Sequence, residues 1–243
     1  MKPRFDHGRE PLNSVQAPTV LALETSTAAC SVALLVGGTI YEDHRIVVRE
    51  HNRLILVMID SLIRKSGIDR RDLDAVAFGR GPGSFTGVRI AAGVAQGISL
   101  GIGIPVVPVS SLAVLAQTAS ATHSSAVNVL ATLRSRAEEI YVGCYRYAAG
   151  ELRLIAPESV VDAAMRDPPA CVERDWWVVG DGVAHFGDTL ATLGCSIDPK
   201  LLPTASALLV LATTALINGE GVDSADALPV YLQGTGPWRK LAD

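Results

Sequence analysis

The first third of the chain shows a hydrophobic pattern that predicts a hairpin followed by a helix. Apolar runs at 20–23 and 31–36 flank a polar turn, and Gly37-Gly38 is a two-residue hairpin signal. We therefore predict three antiparallel strands over 19–48. Apolar residues then recur at helical spacing from 52 to 65, and Gly67 occupies the position of a C-terminal cap.

The remainder of the chain alternates between short apolar runs and helical patterns. A glycine-rich turn leads into a helix that Ser84 or Thr86 caps and that extends to about Gly101. Further strands are predicted at 75–78, 106–107, 127–131, 140–146 and 176–179, and further helices at 112–119 and 203–218. This alternation predicts an α/β fold with two lobes.

The predicted organisation is a disordered extension over 1–18, an N-terminal lobe over 19–117 and a C-terminal lobe over 118–243. The extension has no apolar core, so it reads as neither a signal peptide nor a membrane anchor. The composition changes at 117–126, which places the lobe boundary there. We expect the last segment of the chain to pack back on the N-terminal lobe.

Composition limits the classes of partner. The chain is 49% hydrophobic and 5% aromatic, which favours a buried sheet covered by helices. Its net charge of -4 and lack of a Lys/Arg run argue against binding of a nucleic-acid phosphate backbone by this chain alone. No charged residue lies between Arg89 and Arg134, but Gly and Pro interrupt this stretch, so we interpret it as buried helices and a strand instead of a membrane span.

Cysteine and histidine spacing predicts no metal site. The four cysteines include no Cys-x-x-Cys pair, and we interpret them as reduced core thiols: Cys30, Cys144, Cys171 and Cys195. No two of the five histidines are one helical turn apart.

The glycine-rich run over 79–89 follows a strand and opens a helix, so its backbone amides are able to cradle a phosphate. It lacks the Lys-Ser/Thr ending of a Walker A loop. It is also no nucleophile elbow around Ser84, because Pro82 and Thr86 stand where glycines are needed. We interpret the run as a tight structural turn.

The helix after this turn contains glycine at every fourth position, Gly93, Gly97 and Gly101. Each interior glycine costs a helix about 1 kcal/mol relative to alanine. Close contact with another backbone recovers this cost, and the contact is either with the protein's own sheet or with another subunit. The residues alone leave the two interpretations open.

Carboxylates supply few candidates for chemistry. Glu138-Glu139 lies in a predicted turn, where solvated charge is the default. Glu24, at the end of the first strand, is able to orient a metal-bound water. Together with the three residues that follow, it makes up the candidate nucleotide contacts Glu24, Thr25, Ser26 and Thr27. No His, Cys or second acid at a recognisable spacing supports this site, so we assign no catalytic residue and no metal ligand.

Several motifs in order resemble the TsaB (YeaZ) family, a relative of the actin, heat-shock ATPase and sugar-kinase superfamily. They are LALETSTAACSVAL at 21–34, GPGSFTGVRI at 81–90, IPVVPVSSL at 104–112, GDG at 180–182, PVYL at 229–232 and WRK at 238–240. The resemblance covers about residues 19–240. It implies two lobes, each with a mixed sheet flanked by helices.

The resemblance implies a cytoplasmic, non-catalytic subunit that dimerises with a catalytic paralogue of the TsaD type. That paralogue transfers a threonylcarbamoyl group to the adenosine next to the anticodon of tRNA. A small ATPase of the TsaE type joins the complex, which uses ATP, whereas this chain has no cofactor of its own. The resemblance also implies that the chain contacts tRNA through the complex and that no membrane is involved. Whether the isolated chain forms a homodimer stays open.

The resemblance also implies that the helices matching 52–65 and 84–101 form the pairing surface. The interface residues expected on them are Leu54, Met58, Leu62, Arg89, Gly93, Gly97 and Gly101. Three positions depart from the family: Glu24 and Arg134 each replace an Asp, and Gln233 replaces an Arg. These departures argue against intact nucleotide binding. The alternatives are an autonomous ATPase or small-molecule kinase of the same fold and, with no zinc motif to support it, a peptidase.

Overall fold

The computed structural model describes residues 17–121, 127–135, 139–162 and 167–232, which form two mixed five-stranded sheets. The first sheet has the order β3-β2-β1-β4-β5. Its strands are β1 (Val20–Glu24), β2 (Ala29–Val36), β3 (Thr39–Ile46), β4 (Ala75–Gly79) and β5 (Val106–Val109). β1, β2 and β3 are antiparallel neighbours, whereas β4 and β5 run parallel to β1. The three predicted antiparallel strands are therefore confirmed.

The second sheet has the order β10-β9-β6-β7-β8. Its strands are β6 (Val127–Arg134), β7 (Glu139–Ala148), β8 (Glu151–Asp162), β9 (Trp177–Val179) and β10 (Ser196–Asp198). β6, β7 and β8 are antiparallel, and β9 and β10 continue parallel to β6. The sequence did not predict β8 or β10, which are the two edges of this sheet and bury few side chains.

The helices agree with the predicted helical segments. They are α1 (His51–Ser66), α2 (Phe85–Ile102), α3 (Ser111–Ser120), α4 (Thr189–Thr192) and α5 (Ala205–Ile217). Ser84 caps α2 by accepting a hydrogen bond from the Gly87 N–H, as predicted. Gly67 ends α1 in the left-handed conformation, which glycine adopts at little cost. Only the very short α4 was not predicted.

The first sheet is covered on both faces because successive residues of a strand point to opposite sides. Leu21 and Leu23 pack with α1 and α2 on one face. Val20 and Ala22 pack with α5 on the other face. β1 is fully buried as a result, and its polar end lies deep in the molecule.

The lobe boundary predicted near 117–126 stays a prediction, and α3 extends into this range as far as Ser120. This helix belongs to both lobes: Val114 packs in the core with α5, whereas Leu112 and Leu115 pack against the second sheet. The chain after the second sheet returns to the first lobe, where Val222 pairs with Val106. The predicted extension, apart from residues 17 and 18, and the motif at 238–240 lie outside the described residues.

The expectation of four reduced cysteines is wrong at two positions. Cys144 and Cys171 form a disulfide, although 27 residues separate them and no spacing motif marks the pair. Cys30 and Cys195 are free thiols. Burial, with a smaller contribution from the negative charge of Asp43, raises the pKa of Cys30 to about 11, so this thiol stays protonated at neutral pH.

Candidate subunit interface and inter-lobe cleft

The glycine-rich turn is packed against the turn between β1 and β2. The Ser84 N–H donates to the Ser26 carbonyl at 2.7 Å, and Thr25 Oγ1 donates to the Gly87 carbonyl at 2.7 Å. A Cβ on Gly83 or Gly87 would overlap the backbone of this neighbouring turn. Close approach of two backbones therefore accounts for these glycines, in agreement with the structural interpretation of the run.

Glu24 is completely buried. One carboxylate oxygen accepts from the Ser26 N–H at 2.7 Å, and the other accepts from Ser111 Oγ at 3.2 Å. Gly79 leaves the room that this side chain occupies, because a Cβ there would overlap the carboxylate. Glu24 thus joins the end of β1 to the first turn of α3.

Burial raises the pKa of Glu24, and the hydrogen bonds from Ser26 and Ser111 offset only part of the rise. The folded protein consequently binds this proton more tightly than the unfolded chain does. Stability that depends on Glu24 is greatest below its ordinary pKa and falls as the pH rises through the higher folded pKa.

Replacing Glu24 by Gln is expected to remove this pH dependence. Above the ordinary pKa of the carboxyl, the unfolding free energy of the wild type should fall relative to that of Glu24→Gln by up to about 1.4 kcal/mol per pH unit until the folded pKa is passed. Urea unfolding of both proteins across this range measures the difference. Glu220→Gln, at an exposed carboxylate, is the matched control. Parallel pH profiles for wild type and Glu24→Gln would contradict the assignment.

A cleft with a volume of about 870 Å³ separates the two lobes. The first lobe contributes the turn at 26–28, the segment from 47 to 52 and the first turn of α2. The second lobe contributes the end of β6 and Asp181. Asp181 accepts a hydrogen bond from the Arg134 N–H at 2.8 Å, which holds the end of β6 in the cleft wall.

The candidate nucleotide contacts divide between the interior and this cleft. Ser26 and Thr27 line the cleft, whereas Glu24 and Thr25 are enclosed behind it. Of the predicted solvated pair, Glu139 opens β7 and Glu138 lies outside the described residues, as does Gln233. The described residues contain no group of three or more His, Cys, Asp or Glu side chains placed to hold a metal ion.

On α1, the structure corrects two of the predicted interface residues. Met58 and Leu62 are 0% and 3% exposed and belong to the core beneath the helix. Leu54 is partly buried against the same core. The exposed apolar residues of α1 are instead Leu56 and Val57. Helical periodicity identified the apolar stripe correctly, but that stripe faces the protein's own sheet.

On α2, the structure decides between the two interpretations of the glycine stripe. Gly93, Gly97 and Gly101 are exposed, and a Cβ on any of them would meet nothing within 4 Å. The residues of α2 that face the core are Ala91, Ala95 and others of the adjacent stripe. Packing of the glycines against the protein's own sheet is therefore wrong, and the subunit contact stays a prediction.

The exposed side of α2 is apolar along most of its length. Leu100 beside the glycines is 78% exposed. By length and composition alone the helix would suffice to cross a membrane, yet its opposite side is buried in the core of the first lobe. We call the outward side of α2, from Arg89 to Gly101, the α2 face.

Arg89 lies at the start of the α2 face in a cluster of ring contacts. Its guanidinium stacks 3.6 Å from the centre of the Phe85 ring, and its Nε donates to the Tyr231 hydroxyl at 2.8 Å. The rings of Phe85 and Tyr231 are 5.7 Å apart. The cluster fastens the chain near residue 231 to α2 and fixes the direction of a charged side chain at the edge of the face.

Comparison with known proteins shows that the chain is similar to tRNA-modification proteins. Residues 39–215 match the family model described as TsaD: tRNA N6-adenosine threonylcarbamoyltransferase. The chain is 36% identical to the tRNA threonylcarbamoyladenosine biosynthesis protein TsaB of Haemophilus influenzae, with 93% of this chain and 98% of that protein covered. It is 35% identical to TsaB of Escherichia coli, with coverage of 91% and 97%.

Solved structures agree with the sequence relatives. YeaZ from Pseudomonas aeruginosa is 41% identical, with a TM-score of 0.79 over 88% of this chain and 100% of that chain. By contrast, the tRNA N6-adenosine threonylcarbamoyltransferase of Nitratidesulfovibrio vulgaris is 38% identical over 35% of this chain and only 23% of its own length. The full-length likeness to TsaB and YeaZ confirms the predicted resemblance and fold class.

Proposed function

Because the chain belongs to the TsaB family of tRNA threonylcarbamoyladenosine biosynthesis proteins, we propose that it is the non-catalytic subunit that pairs with and activates a catalytic paralogue. The paralogue is of the TsaD type and transfers a threonylcarbamoyl group to the adenosine next to the anticodon of tRNA. The two proteins work in the cytoplasm with a small ATPase of the TsaE type.

The observation that carries this proposal is the exposed glycine stripe of the α2 face. Three glycines cost the helix about 1 kcal/mol each relative to alanine, and no contact within the described residues compensates for this cost. Glycine lets a second helix approach closely, so a partner helix on the α2 face would recover the energy through backbone and side-chain packing. A paralogue with the same fold offers such a helix.

The remaining features fit a subunit without chemistry of its own. Glu24, which precedes the cleft residues Ser26 and Thr27, is sequestered between β1 and α3. The match to the transferase covers 35% of this chain and 23% of that enzyme, whereas TsaB of Haemophilus influenzae matches over 93% and 98%. ATP is used by the complex, and tRNA is bound chiefly by the other subunits, since this chain carries a net charge of -4.

Light scattering after size-exclusion chromatography tests the proposed pairing. A mixture of the chain with the TsaD-type paralogue is expected to elute as a heterodimer with one copy of each. ATP turnover is measured on the isolated chain in parallel and is expected to equal the buffer background. Two separate monomers in the mixture would contradict the pairing, and ATP hydrolysis by the pure chain would favour the alternative of an autonomous ATPase or kinase.

A further inference from the structure

Two arginines from different lobes line the inter-lobe cleft, and neither has an ionic partner among the described residues. Arg49 lies just before α1, and Arg134 ends β6. The guanidinium of neither residue makes a hydrogen bond or an ion pair with a described residue. By contrast, Arg53, four residues after Arg49, pairs with Glu50. Two positive charges that no described residue pairs with therefore line one cleft.

Little negative charge opposes them. Asp181 is the one carboxylate among the described residues of the cleft wall, and it already accepts the Arg134 N–H. Glu24 lies behind the wall with both oxygens hydrogen-bonded. The other polar side chains of the cleft wall are hydroxyl groups together with His51 and Asn52, and the buried Oγ of Ser26 has no hydrogen-bond partner among the described residues. Such a wall attracts anions.

We propose that the cleft binds a phosphoryl dianion, with Arg49 contributed by one lobe and Arg134 by the other. A guanidinium forms paired, charge-assisted hydrogen bonds with phosphate oxygens, and two guanidiniums balance the two charges of inorganic phosphate or a phosphate monoester. The ligand needs no divalent cation, because the arginines supply the positive charge that a metal ion supplies elsewhere. The volume of about 870 Å³ accommodates a small ester as well as the free ion.

The site goes beyond the proposed pairing function and is separable from it. Gly93, Gly97 and Gly101 do not line the cleft. Binding would also connect the two lobes, since each arginine belongs to a different one. A ligand that binds only the folded protein stabilises it by mass action, so phosphate is expected to raise the unfolding temperature.

Isothermal calorimetry with inorganic phosphate tests the site directly. The titration is made in EDTA, with ionic strength held constant by sodium chloride, and is repeated with glycerol phosphate. Arg49→Gln and Arg134→Gln are each expected to weaken phosphate binding at least about tenfold, the loss typical of a charge-assisted contact. Arg53→Gln removes a neighbouring charge outside the cleft wall and is expected to bind phosphate as the wild type does. Circular dichroism confirms that each variant is folded.

Three results would overturn the proposal. The first is absence of phosphate binding, or equal binding by wild type and the Arg49→Gln/Arg134→Gln double variant. The second is binding that appears only after Mg²⁺ replaces EDTA, which would indicate a metal-bridged ligand. The third is displacement of phosphate by a short RNA without terminal phosphates, which would make the cleft a contact for phosphodiester backbone. Mutual competition of phosphate and glycerol phosphate, both lost in the double variant, is the supporting result.

Discussion

Gly97→Leu is expected to weaken association with the catalytic paralogue by about 100-fold, which corresponds to about 2.7 kcal/mol. Gly97 lies in the middle of the α2 face, where a leucine side chain would occupy the space that a partner helix needs. The size of the loss is that of overpacking a close contact. The isolated chain should remain folded, because nothing lies within 4 Å of a Cβ at this position and leucine favours helix over glycine.

Analytical ultracentrifugation of chain and paralogue measures this effect. Thr214→Leu is the matched control, since it adds the same side chain at an exposed position of α5, on the opposite face of the first sheet. Thr214→Leu should pair as the wild type does. Undiminished pairing of a folded Gly97→Leu variant would remove the α2 face from the interface.

Gly87→Ala is expected to destabilise the isolated chain by about 3 kcal/mol or more, a large effect for the addition of one methyl group. The new Cβ would overlap the carbonyl oxygen of Thr25, which is part of a tight backbone turn and has little room to move. The hydrogen bond from Thr25 Oγ1 to the Gly87 carbonyl would be disturbed by any shift that relieves the overlap.

Gly93→Ala is the control on the same helix, and it should raise the free energy of unfolding instead of lowering it. A Cβ at Gly93 meets nothing within 4 Å, so the variant is expected to gain about 0.5–1 kcal/mol from helix propensity alone. Urea unfolding of the two variants measures both changes. Similar stabilities for Gly87→Ala and Gly93→Ala would show that contact with the β1–β2 turn does not constrain this end of α2.

Local patterns predicted most of the fold because strong periodicity was present where elements are buried. The helix over 52–65 and the strands of the first sheet follow from their apolar spacing. β8 was missed because it is an edge strand with mostly exposed side chains, and its apolar run of three residues, Leu154-Ile155-Ala156, ends at a proline. The sequence could not show that α3 packs in two cores, because its own composition does not express this property.

The interface and the cleft depend on contacts between distant parts of the chain. Periodicity located an apolar stripe on α1, but it could not show whether the stripe packs against the sheet or lies on the surface. In the structure Met58 of this stripe is buried, whereas Leu56 is exposed. The role of Glu24 depends on Ser111, which lies 87 residues away in sequence. Arg134 stood out as a departure from the family, but its place in the same cleft as Arg49 emerged only from the fold.

Modification of tRNA in vitro tests the accessory role most directly. The catalytic paralogue, the small ATPase, threonine, bicarbonate and ATP are combined with and without this chain, and threonylcarbamoyladenosine is measured in the recovered tRNA. The account predicts product only when the wild-type chain is present and little product with Gly97→Leu. Equal amounts of product with and without the chain would contradict it.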